Sequence, residues 1–327
     1  MTDNPPHLVA GIDEAGLGPM LGPLVIGCSL FRCAQPHDDL AACFEPLVSR
    51  KPEDYRKGMV VCDSKQLYST ARGLGPLEES LLPFVAVARG GSAPQTFDEY
   101  WKDAAFISRE FLSPYPWYGG DDFELPLKAN RDKVAIRAGQ LAEHMESHAI
   151  ELACLKALPV LEGEFNRLID SHGNKADAHA SAIANVLLRV WELAPDVTVY
   201  CDRLGGRAYY SDMLRRFLKP DSIEIVRETN EQFVYRLERL SDTGKRRMEI
   251  HFMTKGDTRS FPICLASMIA KYTRELCMKR FNRYFTSLDP TLKPTAGYVS
   301  DARRFLRDSE GLRHFHGMAD NLLIRKR

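Results

Sequence analysis

Four carboxylates occupy positions from which a fold can gather them. Asp13 and Glu14 follow the apolar run 8–12 (LVAGI), Asp202 follows 197–201 (VTVYC), and Asp257 sits in the Lys-Gly-Asp-Thr-Arg turn at 255–259. An acid just past a buried strand lies at a sheet edge, where side chains from distant sequence converge. Carboxylates that close repel one another and raise one another's pKa unless a divalent cation neutralises them. Hard oxygen ligands suit Mg²⁺ or Mn²⁺. Two such ions about 4 Å apart activate water and stabilise the leaving oxygen of a phosphodiester. Taken singly, each acid also reads as an ordinary turn or strand-end residue, and spacing alone does not bring them together.

The elements that must position these acids are legible in outline. Residues 7–13 predict a strand ending at a turn, and 23–32 a second one. The link AGLGPMLGP between them is too short for a crossover helix, so the two strands pair antiparallel. A short apolar run stands at 58–62, and others predict strands at 80–90 and 197–201, with three more in SIEIV, QFVYRL and RMEIHFM. Helical periodicity covers about 131–158, 176–193 and 209–218, and most strongly 261–286, with Ser260 as N-cap and Pro262 in the first turn. A further helix is expected around 300–307. The stretch 91–126, rich in Pro, Gly, Ser and aromatics, reads as a long loop or insertion. No internal repeat is present. The fold class is α/β with α+β character: a central mixed β-sheet flanked by helices, with a C-terminal helical part.

Composition sets the bounds. The chain has 327 residues, 44% hydrophobic and 27% charged, enough for a full-sized core. It holds no run of about 18 apolar residues, and no basic stretch followed by an apolar one at its start, so no membrane span or signal peptide is expected and a cytoplasmic setting is. The eight cysteines are scattered without a Cys-x-x-Cys pair, which favours small buried hydrophobes over zinc ligands or disulfides. Formal net charge is zero, yet residues 255–327 carry 15 Lys/Arg against 7 Asp/Glu. An acidic bulk with one basic part can still hold a cationic groove for a phosphate backbone.

Five blocks give these residues a family context. GIDEAGLGPMLGPLVIG (11–27) resembles the opening signature of the type 2 ribonucleases H, the ribonuclease HII group. CDSKQL (62–67) resembles the family's Asp-Ser-Lys block. VYCDRLGG (199–206) is similar to the strand of its third acid, nearer the archaeal and eukaryotic form. KGDTRSFPICLASMIAKYTRE (255–275) resembles its fourth acid and the helix behind it, and AGYVSD (296–301) its Gly-Tyr block. The blocks stand in family order. The resemblance implies a ribonuclease H-like fold and a metal-dependent endoribonuclease. Its substrate would be RNA in RNA–DNA hybrids, or ribonucleotides embedded in duplex DNA, cut to leave 5′-phosphate and 3′-hydroxyl ends. It implies that Asp13, Glu14, Asp202 and Asp257 are catalytic ligands of two Mg²⁺ or Mn²⁺ ions. Gly16 and Gly18 match the turn that approaches the ribose 2′-hydroxyl, Tyr298 the tyrosine that stacks at the RNA–DNA junction, and Lys65 a lysine near the scissile backbone. Lys271 and Arg274, at i and i+3 on one helix face, support the acids, contact substrate phosphates or form a structural ion pair.

The chain also departs from that pattern. Leu17 stands between Gly16 and Gly18 where the family has arginine, Glu275 replaces the aspartate after Thr-Arg, and RHFHGM (313–318) is at most a remnant of a late His-Arg block. The surplus length relative to a compact bacterial member falls at about 91–126 and 207–250. The expected organisation is a catalytic core over 1–260 carrying these insertions, with a basic helical part, 261–327, packed on it. The competing readings are a catalytically weak nucleic-acid-binding protein that keeps the fold, and a nuclease of the same fold with another substrate.

Overall fold

The computed structural model describes residues 6–34, 40–68, 72–242 and 244–326, and the side chains of all of these except Asp257 and Thr258. In chain order its elements begin with β1 (His7–Ala15), β2 (Leu24–Cys33), β3 (Val48–Ser49), β4 (Met59–Val60) and α1 (Ser64–Leu67). There follow α2 (Gly75–Ala88), α3 (Phe97–Ala104), α4 (Arg131–Ser147), β5 (Ile150–Val160), α5 (Glu162–His172) and α6 (Lys175–Leu193). Next come β6 (Asp196–Asp202), α7 (Ser211–Leu218), β7 (Ser222–Glu228), β8 (Gln232–Ser241) and β9 (Gly244–Met253). The last elements are α8 (Gly256–Arg259), α9 (Phe261–Leu288), α10 (Val299–Asp308), α11 (Glu310–Phe315) and α12 (Asp320–Leu323).

Seven strands form one mixed sheet in the order β5-β2-β1-β6-β9-β8-β7. β1 and β2 are antiparallel, with Ile12 opposite Cys28, as the short link between them requires. β1, β6 and β9 run parallel, so their C-terminal ends lie side by side. β2 and β5 are antiparallel, as are β9, β8 and β7. The expected fold class, a central mixed sheet flanked by helices, is the observed one.

The central strands are apolar on both faces because helices cover both. Alternate residues of β2 serve the two cores: Ile26, Cys28 and Leu30 pack with Ile183, Val186 and Leu187 of α6, and Val25 and Phe31 belong to the core of α2, α4 and α9. α9 is buried along most of its length, and its first turns rest almost on the sheet backbone. A Cβ on Gly11 would strike the main chain of Pro262, and one on Gly27 would strike the carbonyl of Ala266. Glycine at those two positions is what admits the helix. Ser260 holds the N-cap position in extended conformation without a side-chain cap bond, and Pro262 falls in the first turn as expected.

Three sequence expectations are corrected. Residues 80–90 are not a strand but part of α2, whose Leu81, Leu82, Phe84, Val85 and Ala86 are all buried. A short, wholly apolar run has no periodicity to separate the two states. Pro83 sits inside this helix and cannot donate to the carbonyl of Glu79; the Arg137 guanidinium on α4 donates to that oxygen instead, at 3.0 Å. The single helix expected over 131–158 is α4 followed by β5, parted by Ala149 in left-handed conformation (φ 52°), a break that no glycine marks in the sequence. The stretch 91–126 is not a structureless loop. Thr96 caps α3 by accepting from the Glu99 N–H, and Tyr100, Trp101, Trp117 and Tyr118 are buried in the α9 core. Helix α5 was not foreseen. No disulfide joins the eight cysteines among the described residues, and seven are buried. No described helix is long and apolar enough to cross a membrane.

Two glycine substitutions separate close approach from helix propensity. Gly27→Ala is expected to lower the urea unfolding free energy by about 2–3 kcal/mol through overpacking. Gly139→Ala, exposed within α4 with open space around it, is expected to raise it by roughly 0.5–1 kcal/mol. Equal effects from the two would contradict the close α9–sheet contact.

Candidate active site

The parallel pairing of β1 with β6 sets Ile12 beside Cys201, so Asp13 and Asp202 leave neighbouring strands at adjacent levels. Asp13 is buried, and its carboxyl is held well above the usual range by loss of solvent and by the charges of Glu14 and Asp202. A hydrogen bond from the Ser267 hydroxyl opposes the rise. Ser267, on α9, also lies 3.1 Å from the hydroxyl of Ser64 on α1, which ties the Asp-Ser-Lys block to the acid pair. Asp202 Oδ1 accepts from the Gly256 N–H at 2.8 Å. That bond brings the residue before Asp257 against Asp202; the Asp257 side chain itself lies outside the described residues. His179, buried on α6, places Nε2 3.6 Å from Glu14 Oε2 and has no hydrogen-bond partner for that nitrogen among the described residues. Ser64 and Ser267 fall inside two of the quoted blocks, but neither they nor His179 carry a sequence signal that assigns them a role at the acids.

Among the described residues no three His, Cys, Asp or Glu side chains converge closely enough to hold a metal ion. The donors nevertheless fit a hard divalent cation in kind. They are carboxylate oxygens at one sheet edge, and the mutual repulsion seen at Asp13 is what a cation would relieve.

Gly16 needs its glycine: its φ is 86°, and a Cβ there would sit 2.5 Å from Arg274 Nε and 2.7 Å from the Pro23 carbonyl. Gly18 is exposed, with nothing within 4 Å of such a Cβ. Leu17 lines a cavity of about 490 Å³ together with His179, Leu204 and Gly205. A separate groove of about 860 Å³ is lined by Lys65, Lys271, Arg274 and Tyr298, and by Lys128 and Lys279. Four of the six sequence candidates for substrate contact thus share one groove, without Gly16 and Gly18, but not one role. Arg274 is 1% exposed and donates to the carbonyls of Ala296 (3.0 Å) and Leu21 (3.4 Å), so it builds the wall. Lys271 pairs with Glu275 at 2.7 Å and lies 4.5 Å from the Tyr68 ring. Tyr298 is half exposed, with the Arg274 guanidinium 5.7 Å from its ring. The Met20 N–H donates to the Gly297 carbonyl at 2.8 Å, which joins the glycine turn to the tyrosine segment.

Beneath the turn, Glu162 of α5 is fully buried. Its Oε1 accepts from the Gly22 N–H (3.1 Å) and the Tyr118 hydroxyl (2.7 Å), and burial pushes its pKa from an ordinary 4.5 up to about 7. The native chain therefore keeps a proton that the unfolded chain releases between those values, so its stability falls as pH rises through that window and levels above it. The loss is on the order of 3 kcal/mol. Glu162→Gln is expected to flatten that slope in urea unfolding measured from about pH 4.5 to about pH 7; an unchanged slope would assign the proton elsewhere.

No family model matches the chain, and no curated protein matches it in sequence. Among solved structures the chain is similar to the ribonuclease HII of Archaeoglobus fulgidus, determined in complex with PCNA. That likeness has 14% identity and a TM-score of 0.40 and covers 98% of this chain and 94% of that one. Similarity to the ribonuclease H2 of Pyrococcus horikoshii stands at 15% identity and a TM-score of 0.39, covering 97% and 92%. For the ribonuclease H3 of Aquifex aeolicus the values are 13% and 0.36, covering 97% and 71%. These are distant likenesses of fold.

Proposed function

We propose that this chain is a divalent-metal-dependent endoribonuclease that cleaves RNA in RNA–DNA hybrids, or ribonucleotides embedded in duplex DNA, leaving 5′-phosphate and 3′-hydroxyl ends. The observation that carries the proposal is the placing of Asp13, Glu14 and Asp202 at the C-terminal ends of two neighbouring parallel strands, with the Asp13 carboxyl pushed up by burial and then by its companions. Asp13, Glu14, Asp202 and Asp257 are the residues that would hold Mg²⁺ or Mn²⁺, which when bound neutralises the acids and supplies the activated water and leaving-group stabilisation of phosphodiester hydrolysis.

The rest of the chemistry belongs to the chain. Lys65 and Lys271 border the groove and supply the field that draws in a phosphate backbone, with Arg274 fixing the wall behind them. The exposed face of Tyr298 offers a stacking surface to a sugar or base at the junction. Gly16 and Gly18 let backbone donors approach a ribose 2′-hydroxyl, the group that separates RNA from DNA. The Ser64–Ser267 pair orients Asp13.

A second reading, a fold-retaining nucleic-acid binder with weak or no catalysis, is favoured by one observation: Leu17 stands where the resembling family has an arginine, which removes a charged phosphate contact from the turn. A panel of RNA–DNA hybrid, single-ribonucleotide and all-DNA duplexes with Mg²⁺ or Mn²⁺ decides between them. The proposed enzyme cuts the first two and spares the third, and Asp13→Asn is expected to lose at least about a hundredfold in kcat/KM. Binding without metal-dependent cleavage would replace it with the second reading; equal cutting of all-DNA duplex would remove the ribonucleotide specificity. Lys65→Ala is expected to lower the slope of log affinity against log salt by about 1, as loss of one phosphate contact does; an unchanged slope would take Lys65 out of the substrate path.

A further inference from the structure

The glycine turn is held from beneath by a segment some 300 residues away. Arg325 is 2% exposed. Its guanidinium donates to the carbonyl of Gly16 and, at 3.1 Å, to that of Leu17, and its own N–H donates to the Met20 carbonyl at 2.9 Å. The guanidinium also lies 4.3 Å from the ring centre of Phe165 on α5. Asn166, the next residue, clamps the segment: its Nδ2 donates to the carbonyls of Asn321 and Ile324, both at 2.8 Å, and its Oδ1 accepts from the Lys326 N–H at 2.7 Å. Helix α5 thus grips both ends of the turn, through Arg325 at Gly16 and Leu17 and through Glu162 at Gly22.

A trans peptide is planar, with its C=O and N–H pointing in opposite directions. The described cis bonds lie elsewhere, at Glu45-Pro46 and Leu125-Pro126. Pinning the carbonyls of Gly16 and Leu17 downward therefore aims the N–H groups of Leu17 and Gly18 away from the buried guanidinium. Gly18, at the end of that pair, is exposed. Two preset donors on adjacent residues form a backbone cradle for an oxygen acceptor, and no donor on the Leu17 side chain contributes to it.

We propose that Arg325 is a positioning residue that presets the Leu17 and Gly18 N–H groups for the sugar–phosphate oxygens of a ribonucleotide, and so sets ribonucleotide discrimination from the side of the turn opposite the substrate. The proposal rests on the nuclease reading above. Arg325 touches no substrate. A lysine has one compact ammonium with freely rotating donors and lacks the planar fork that fixes two carbonyls in one set geometry.

The test compares wild type, Arg325→Ala and Arg325→Lys, each first shown folded by near-ultraviolet circular dichroism. Two readouts are taken: amide hydrogen exchange at residues 16–20 without substrate, and affinity for a single-ribonucleotide duplex relative to an all-DNA duplex on the uncleavable Asp13→Asn background. Arg325→Ala is expected to speed exchange at 16–20 by roughly tenfold or more, with residues 9–12 of β1 unchanged. It is also expected to cut the affinity ratio by about tenfold, with Arg325→Lys between. A merely structural role would weaken both duplexes alike and leave the ratio unmoved, which overturns the proposal. So does unchanged exchange at 16–20. If Arg325→Ala does not fold, Arg325→Lys carries both readouts, and an unmoved ratio or unchanged exchange in that variant overturns the proposal in the same way. Wild-type protein that cleaves none of the duplexes sinks the nuclease reading by itself, while variants that match wild type sink only this one.

Discussion

The approach of α9 to the sheet is the constraint on which the rest depends. Two hydrogens, on Gly11 and Gly27, take the place of side chains where the helix main chain at Pro262 and Ala266 meets β1 and β2. That contact fixes the height and rotation of a 28-residue helix. It is the same helix that carries Ser267 to Asp13, Lys271 to the groove, Arg274 to the glycine turn and Arg280 to the carbonyl of Gly119. A helix held a side chain's thickness further out would leave each of these groups short of its partner. The site is therefore specified less by its own residues than by the absence of two methyl groups in the strands behind it.

The candidate site couples two electrostatic situations that oppose one another. At the sheet edge the carboxylates crowd, and the buried Asp13 resists ionisation. In the adjoining groove the cations are only partly offset: Lys271 has Glu275, and Lys279 is pulled below its ordinary pKa by burial and by the charges of Arg283 and Lys128. On the proposed function, a polyanion bound with divalent cations would relieve these separated charges of opposite sign together. Arg274 lines the groove and keeps its charge, with its guanidinium held by backbone carbonyls and facing Glu275 at 3.9 Å. The i, i+3 spacing of Lys271 and Arg274 placed them on one face but gave no hint that one would be fully buried and the other partly exposed.

What was legible in the sequence is what local pattern encodes. The strand–turn–strand opening, the buried strand before Asp202, the three strands after it and the long helix from Phe261 all stand where periodicity and turn residues put them. Periodicity failed where burial was complete, since α2 has no polar face to mark it, and where the chain changed direction without a turn residue, as at Ala149. Composition misled over 91–126. Glycine, proline and serine suggested a loop, but the tyrosines and tryptophans among them were core, tied down by Arg280 from outside the segment. For the site, strand-end acids were visible; the roles of Ser64, Ser267 and His179 were not, because each takes its meaning from a residue more than a hundred positions away.

Leu17 is the case that sequence comparison alone would misjudge. A leucine where an arginine is expected reads as a loss of charge from the turn, and at the turn's outer face that is so. The inner face tells a different story, because a guanidinium from position 325 already occupies both carbonyls that a rigid turn must orient. An arginine side chain at 17 would reach outward to a phosphate, whereas Arg325 works on the backbone and leaves the outward direction to N–H groups. The first supplies affinity through a long-range charge that salt weakens. The second supplies geometry, which salt does not screen. On the proposed reading, a turn built this way gives up attraction for the phosphate backbone in general while keeping its sensitivity to the sugar, and the lysines along the groove wall would supply the missing attraction.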